Sequence, residues 1–265
     1  MKAIVNNFIK DIPEIPDSLF ENTVSIYEVI RIFNGQPLFL EDNLKRLANS
    51  LSIACPQVRI KIQELNIPEK ITRLIRLEHI EEGNIKYVLS FKENRFEEYL
   101  FRIPHHYPDK NSYINGVPTI SLYASRKNPE LKYINPELRT IADNLIRKHK
   151  VWEVLLTDAD NYLTEGSRSN LFFIKGDIVF TAPSAFVLPG TSRKRVFEIC
   201  NIHHIKIVEK KIALSEIRDY DSAFLTGTSP LLLPISRINQ TGMKTNTPLL
   251  KKLVKLYFEF IGIKF

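Results

Sequence analysis

Nine glycines serve the whole chain, and three of them, Gly166, Gly190 and Gly227, fall in short polar segments of one character. These segments are Thr164-Glu165-Gly166-Ser167-Arg168-Ser169-Asn170, Pro189-Gly190-Thr191-Ser192-Arg193 and Thr226-Gly227-Thr228-Ser229-Pro230. Glycine lets backbone amides turn toward a ligand, and Ser or Thr adds a hydroxyl donor. Val196, Ile199 and Cys200 follow Gly190-Thr191-Ser192 at helical spacing, so this segment opens a helix whose N-terminal N–H groups favour an anion. Taken singly, each segment also reads as a strand-end turn or a helix cap. Together they describe one phosphate-bearing ligand met by several loops. None is a dinucleotide fingerprint or a Walker loop. A candidate nucleophile lies in Asn128-Pro129-Glu130-Leu131-Lys132-Tyr133-Ile134-Asn135, where Lys132 sits between apolar neighbours before a helix. On its residues alone Lys132 reads as a surface lysine in a loop. A lysine that forms a Schiff base must lose its proton easily, which burial beside a cationic ring favours.

The elements that must position these residues follow from pattern. Val24 to Phe33 is long and β-branched and ends at Asn34-Gly35, a hairpin signal, so a strand from Gln36 to Leu40 should return beside it. Leu44, Leu47 and Leu51 recur at helical spacing behind Glu41-Asp42 and predict a helix over 41–51. A second helix is predicted over 67–80, stopped by Gly83, with strands at 85–91 and 98–103 joined by a charged turn at 92–95. The proline- and histidine-rich stretch from Pro104 to Ser112 reads as a connector, and its His105 and His106 as surface residues. A division near Asn115-Gly116 gives domains 1–115 and 116–265. The second half reads as strands at 117–123, 153–156, 171–174, 178–181, 205–208 and 222–225, with helices at 136–148, 191–200 and 248–260. Strands and helices mix without regular alternation, which predicts an α+β fold rather than a doubly wound sheet.

Composition narrows the class. The chain has 265 residues, 44% hydrophobic and 25% charged, which suits a globular protein with a sizeable core. No apolar run is long enough to span a bilayer, and the N-terminal residues turn polar too early for a signal-peptide core, so the expectation is a cytoplasmic protein. Cys55 and Cys200 match no disulfide framework or metal motif and read as buried thiols. The formal net charge of +7 is scattered along the chain, which fits a solvated surface with some anion-binding positions better than a nucleic-acid tail.

These segments, in this order, resemble the class IV (fold-type IV) pyridoxal-phosphate (PLP) enzymes, among them branched-chain aminotransferases, D-amino-acid aminotransferases and aminodeoxychorismate lyases. Tyr27 to Gly35 and Phe39 to Leu47 look like the family's N-terminal hairpin and helix. Leu131 to Asn135 looks like its lysine segment. Leu163 to Phe172 is the most specific match, and Leu188 to Arg193 and Thr226 to Pro230 look like its phosphate loops. The resemblance covers nearly the whole chain and implies two domains with PLP in the interdomain cleft, the larger having a barrel-like sheet. It implies that Lys132 carries the cofactor as an aldimine and shuttles the proton, and that Glu165 faces the pyridine nitrogen and keeps the ring an electron sink. It also implies that Arg46 pairs with the phosphate, that Thr191, Ser192 and Thr228 complete the phosphate cup, and that Leu188 packs on the ring. It further implies that Tyr27 and Ser229 stand on the substrate side. A homodimer is implied as well.

Departures leave the substrate open. Asn43 stands where the family often has histidine, and Glu137 where branched-chain enzymes have tyrosine. Val88 to Asn94 lacks the Arg-Gly stretch of D-amino-acid enzymes. The leading expectation is an aminotransferase acting between an amino acid and a 2-keto acid. The alternatives are an aminodeoxychorismate lyase releasing pyruvate and, from another class, a non-enzymatic anion- or nucleic-acid-binding protein. No metal and no membrane partner is expected.

Overall fold

The structure is a computed structural model that describes residues 1–20, 22–92, 95–124, 126 and 128–263. Backbone contacts divide the chain into two compact units, Met1–His106 with Leu131–Pro136, and Tyr107–Glu130 with Glu137–Phe265. The first run thus ends before the 115/116 division read from composition, and the lysine segment joins it.

The first unit contains β1 (Lys2–Val5), β2 (Phe8–Asp11), β3 (Val24–Phe33), β4 (Gln36–Pro37), α1 (Leu40–Ala54), α2 (Ile67–Glu78), β5 (Gly83–Lys92) and β6 (Arg95–Ile103). The strands form one antiparallel sheet of six in the order β2-β1-β6-β5-β3-β4. Alternation along β3 sends Ile26, Ile30 and Ile32 to one face, where they meet Leu47 and Leu51 of α1 and Ile71 and Leu74 of α2. Each such fully buried aliphatic side chain contributes about 1.5–3 kcal/mol. Asn34 and Gly35 both have positive φ, 50° and 69°, as a two-residue hairpin turn of the primed type requires. The returning strand stops at Pro37 rather than running to Leu40. Pro37 offers no N–H to extend the ladder, and Phe39, at φ 56°, turns the chain into α1. Helix α2 is stopped by His79 in the left-handed region, before Gly83, which opens β5.

The second unit contains α3 (Lys110–Asn115), β7 (Val117–Tyr123), α4 (Pro136–His149), β8 (Glu153–Thr157), β9 (Tyr162–Gly166), β10 (Asn170–Lys175) and β11 (Ile178–Thr181). It continues with α5 (Thr191–Ile202), β12 (Lys206–Glu209), β13 (Ile212–Ala213), β14 (Ser222–Gly227), β15 (Leu231–Ile238), β16 (Thr241–Gly242) and α6 (Pro248–Phe260). The short helix α3 begins within the predicted connector and runs beyond it; Asp109 Oδ1 accepts the Ser112 N–H at 2.7 Å and caps it. Strands β10-β14-β15-β7-β8-β9 follow one another around a sheet, and β9 returns to β10 through the pair Glu165–Asn170. That closure makes the sheet barrel-like. Leu155, Leu171, Phe173, Leu225, Leu233 and Ile235 fill its inner face. Alternate residues such as Phe172, Ile174 and Phe224 face α5 and α6 outside. Mixed strands and helices in two separate sheets are the α+β class expected from the pattern. Cys55 and Cys200 are free and buried, and burial pushes the Cys200 thiol up to about 11. No helix among the described residues is long and apolar enough to cross a membrane.

Candidate functional site

In the first unit the chain from Leu131 to Asn135 lies along the edge of β3. The Tyr27 N–H donates to the Lys132 carbonyl at 3.0 Å, the Ile134 N–H to Ser25 O at 2.9 Å, and the Lys132 N–H to Ser50 Oγ of α1 at 3.3 Å. This backbone pairing fixes Lys132 beside Tyr27, and Lys132 Nζ lies 4.5 Å from the centre of the Tyr27 ring. Lys86 Nζ on β5 lies 5.0 Å from the same ring. Tyr27 is therefore the aromatic platform of two ammonium groups, an arrangement that its place on a β-strand did not reveal.

Arg46 is buried and turned toward β3. Its Nε donates to Glu28 Oε1 at 2.8 Å and its Nη2 to Glu28 Oε2 at 2.6 Å, a side-on fork. Asn43, one helical turn earlier, donates to Glu28 Oε2 at 2.8 Å. Glu28 thus takes two of the five donors of the guanidinium and sets its orientation. The asparagine that departs from the family's usual histidine belongs to this same cluster. His105 is half-buried, and burial, followed by the charges of Arg102 and Arg31, holds its imidazole below the usual histidine range; His106 is exposed.

In the second unit the three glycine segments converge on one turn, the β9–β10 turn that closes the barrel. Glu165 is 3% exposed. Its Oε2 accepts the Leu188 N–H at 3.1 Å and Asn170 Nδ2 at 3.3 Å, and its Oε1 stands 2.8 Å from Arg126 Nε. Arg126 Nη2 also donates to Ser167 O at 3.0 Å. Asn170 Nδ2 reaches Leu188 O at 2.9 Å, so one amide ties the carboxylate to the approach of the Gly190 segment. A Cβ at Gly190 would overlap Asn170 Oδ1, and one at Gly227 would stand 3.3 Å from the Arg168 carbonyl. Gly190 is therefore required by close approach to this turn, while Gly227 packs tightly between the turn and Pro230. Gly190 precedes α5, and no side chain caps that helix, whose first residues Thr191 and Ser192 are buried. Gly227 opens the hairpin loop between β14 and β15. Its Thr228 and Ser229 precede Pro230, whose carbonyl accepts the Tyr113 hydroxyl of α3 at 3.0 Å.

Arg126, Asn170 and Glu28 are site-building residues that the sequence did not mark as such. Asn170 stands inside the Glu165 segment. For the others no local signal exists, because their partners lie many residues away. Among the described residues, no three His, Cys, Asp or Glu side chains are grouped so as to hold a metal ion.

The packing of Gly190 against Asn170 has a measurable consequence. Gly190→Ala will destabilise the protein by about 1–3 kcal/mol through overpacking at Asn170, read as a fall in Tm. Gly242→Ala, where a Cβ meets nothing within 4 Å, will stay within about 0.5 kcal/mol of the parent. Equal Tm for the two variants would show that the Gly190 contact is not tight.

The arrangement can bind an anion at an uncapped helix start and a hairpin loop, and can hold a cationic group at a buried carboxylate. Known proteins resemble the chain in sequence and in fold. The family described as amino-transferase class IV matches residues 25–238. The D-alanine aminotransferase of Bacillus licheniformis is 23% identical, over 94% of this chain and 92% of its own length. Among solved structures, a Legionella pneumophila protein proposed to be a 4-amino-4-deoxychorismate lyase superposes with a TM-score of 0.80 at 23% identity, covering 94% of this chain and 96% of that one. A hypothetical aminotransferase from Mycobacterium tuberculosis, in its PLP-bound form, superposes with a TM-score of 0.80 at 15% identity, covering 98% and 99%.

Proposed function

The chain belongs to the class IV aminotransferase family, and from that premise we propose that it moves an amino group between an amino acid and a 2-keto acid, with Lys132 as the residue that carries its pyridoxal phosphate. The enzyme is PLP-dependent and of fold type IV. The observation that supports the reading best is the convergence of the Gly166, Gly190 and Gly227 segments on the turn that bears Glu165.

The residues present fit the cofactor. The uncapped start of α5 with Thr191 and Ser192, and the loop with Thr228, suit a phosphate. The Thr226 hydroxyl, fully buried, has no hydrogen-bond partner among the described residues, as befits a site that a ligand completes. The Glu165 carboxylate, backed by an amide and an asparagine, suits a protonated ring nitrogen. In this reading Arg46, oriented by Glu28, pairs with the phosphate, and Leu188 covers the ring face. Bound PLP supplies an electron sink that acidifies the α-proton of an amino acid. Lys132 Nζ moves that proton, and the Tyr27 ring beneath it fixes the direction of its approach. Tyr27 and Ser229 belong to the substrate side. We also assign the protein to the cytoplasm, from the hydropathy pattern of its sequence, and read it as a homodimer, in keeping with the family resemblance.

The test is a spectrum followed by a donor screen. Purified protein with PLP should show a visible band, and an amino donor such as D-alanine, L-glutamate or a branched-chain amino acid should bleach it to the ultraviolet band of the amine form. A 2-keto acid should restore it. Release of pyruvate from aminodeoxychorismate with no bleaching by any donor would replace transfer with elimination, the activity proposed for the Legionella neighbour.

A further inference from the structure

We infer that Glu153 is a positioning residue for Glu165, a buried carboxylate around which the closing turn of the barrel is folded. The inference rests on the proposed role of Glu165 toward the cofactor ring. Glu153 is the first residue of β8 and is 3% exposed. Its Oε1 accepts the Ser167 hydroxyl at 2.7 Å and the Val154 N–H at 2.9 Å. Its Oε2 accepts the Ser169 hydroxyl at 2.9 Å and the Arg168 N–H at 3.2 Å. A carboxylate offers about four lone-pair sites, and here each oxygen receives two donors. Among the described residues no lysine, arginine or histidine pairs with it. A buried carboxylate held only by neutral donors depends on all of them, so the carboxylate and the segment that supplies them hold one another in place.

Three of those four donors come from consecutive residues, Ser167, Arg168 and Ser169, which directly follow Glu165-Gly166. The turn is further pinned by the Gly166 N–H to Ser169 O at 2.7 Å and by the Ser167 N–H to Val154 O at 2.8 Å. A Cβ at Gly166 would overlap Ser169 Oγ and stand 3.0 Å from Glu153 Cγ, so glycine is what lets the turn settle on the carboxylate. On the outer side Arg168 pairs with Asp143 of α4. The Glu165–Asn170 pair brackets the same turn, so a change in its shape moves both the carboxylate and the asparagine that braces it. No neutral residue replaces Glu153. A glutamine keeps one acceptor oxygen and turns an amide toward donors, and the Arg168 N–H cannot accept from it.

Glu153→Gln, with Glu153→Asp as the conservative variant, tests this. In Glu153→Gln, amide hydrogen exchange at 166–170 should rise by about tenfold or more without a matching rise elsewhere, PLP affinity should fall by about tenfold, and the pH titration of the visible band should shift from that of the parent. The value of kcat should drop while KM for the amino donor stays. Glu153→Asp should recover part of each. Should Glu153→Gln not fold, Ser167→Ala/Ser169→Ala removes two donors, keeps the carboxylate, and should move the same readouts in the same direction. Unchanged PLP affinity and titration in a folded variant, or exchange that rises evenly over the whole chain, would overturn the role. Exchange is read without PLP, so a parent protein that never binds PLP would sink the proposed function, while the local exchange pattern would still decide the clamp.

Discussion

Replacing Lys132 by alanine will leave a folded, colourless protein with amino transfer reduced by roughly 10³-fold or more, because no other group would hold the cofactor and move the α-proton. The structure separates this loss from any loss of fold. What secures the segment is backbone: the Lys132 carbonyl accepts the Tyr27 N–H, its N–H donates to Ser50 Oγ, and the neighbouring Ile134 N–H donates to Ser25 O. Alanine keeps all three bonds. Among the side-chain interactions forfeited is the ammonium over the Tyr27 ring, worth about 0.5–1 kcal/mol at a partly exposed site. Tm should therefore fall by a few degrees at most, while the visible band disappears. A yellow Lys132→Ala protein that retains transfer would remove Lys132 from the chemistry, and Lys86, the second ammonium at Tyr27, would be the next residue to replace.

How far the sequence led differs from element to element. Asn34-Gly35 announced its hairpin because a two-residue turn of that type needs positive φ at both positions, and few residue pairs supply it. The helix at Pro248–Phe260 and the strands at Val117–Tyr123 and Ile178–Thr181 were equally legible from periodicity. By contrast, β15 was hidden. Pro230 and Pro234 argue against a strand, yet the ladder to β7 begins only at Ile235, so the missing N–H of Pro234 falls before the pairing that would need it. The site divides in the same way. The glycine segments could be named locally, but not that Gly190 lies on Asn170 or Gly227 on Arg168 O, since barrel closure brings them together. Buried partners such as Glu28 for Arg46 and Arg126 for Glu165 are tertiary choices, and a lone arginine or glutamate in a strand or loop carries no sign of them.

Glu165→Gln is the substitution in which stability and chemistry will fall together, and a second change pulls them apart. The carboxylate is 3% exposed and lies 2.8 Å from Arg126 Nε, with the guanidinium itself largely buried. Removing one partner of such a pair costs about 3–5 kcal/mol, because the other charge stays buried. A glutamine can still accept from the Leu188 N–H or Asn170, so the turn keeps part of its bonding while Arg126 loses its counter-charge. The chemical loss has a different origin. A neutral amide cannot hold a protonated ring nitrogen, and losing one such preorganised electrostatic contact lowers kcat by about 10²–10³-fold. Adding Arg126→Met to Glu165→Gln removes the stranded charge, so the double variant should regain much of the lost Tm. It should not regain turnover. Recovery of both would mean that Glu165 serves only to neutralise Arg126, and a single variant with parental Tm and kcat would mean that the carboxylate does neither job. Recovery of stability alone is the expected result, because the turn on Glu153 and the amide of Leu188 aim position 165 whatever its charge, and only the carboxylate gives that position a cation to hold.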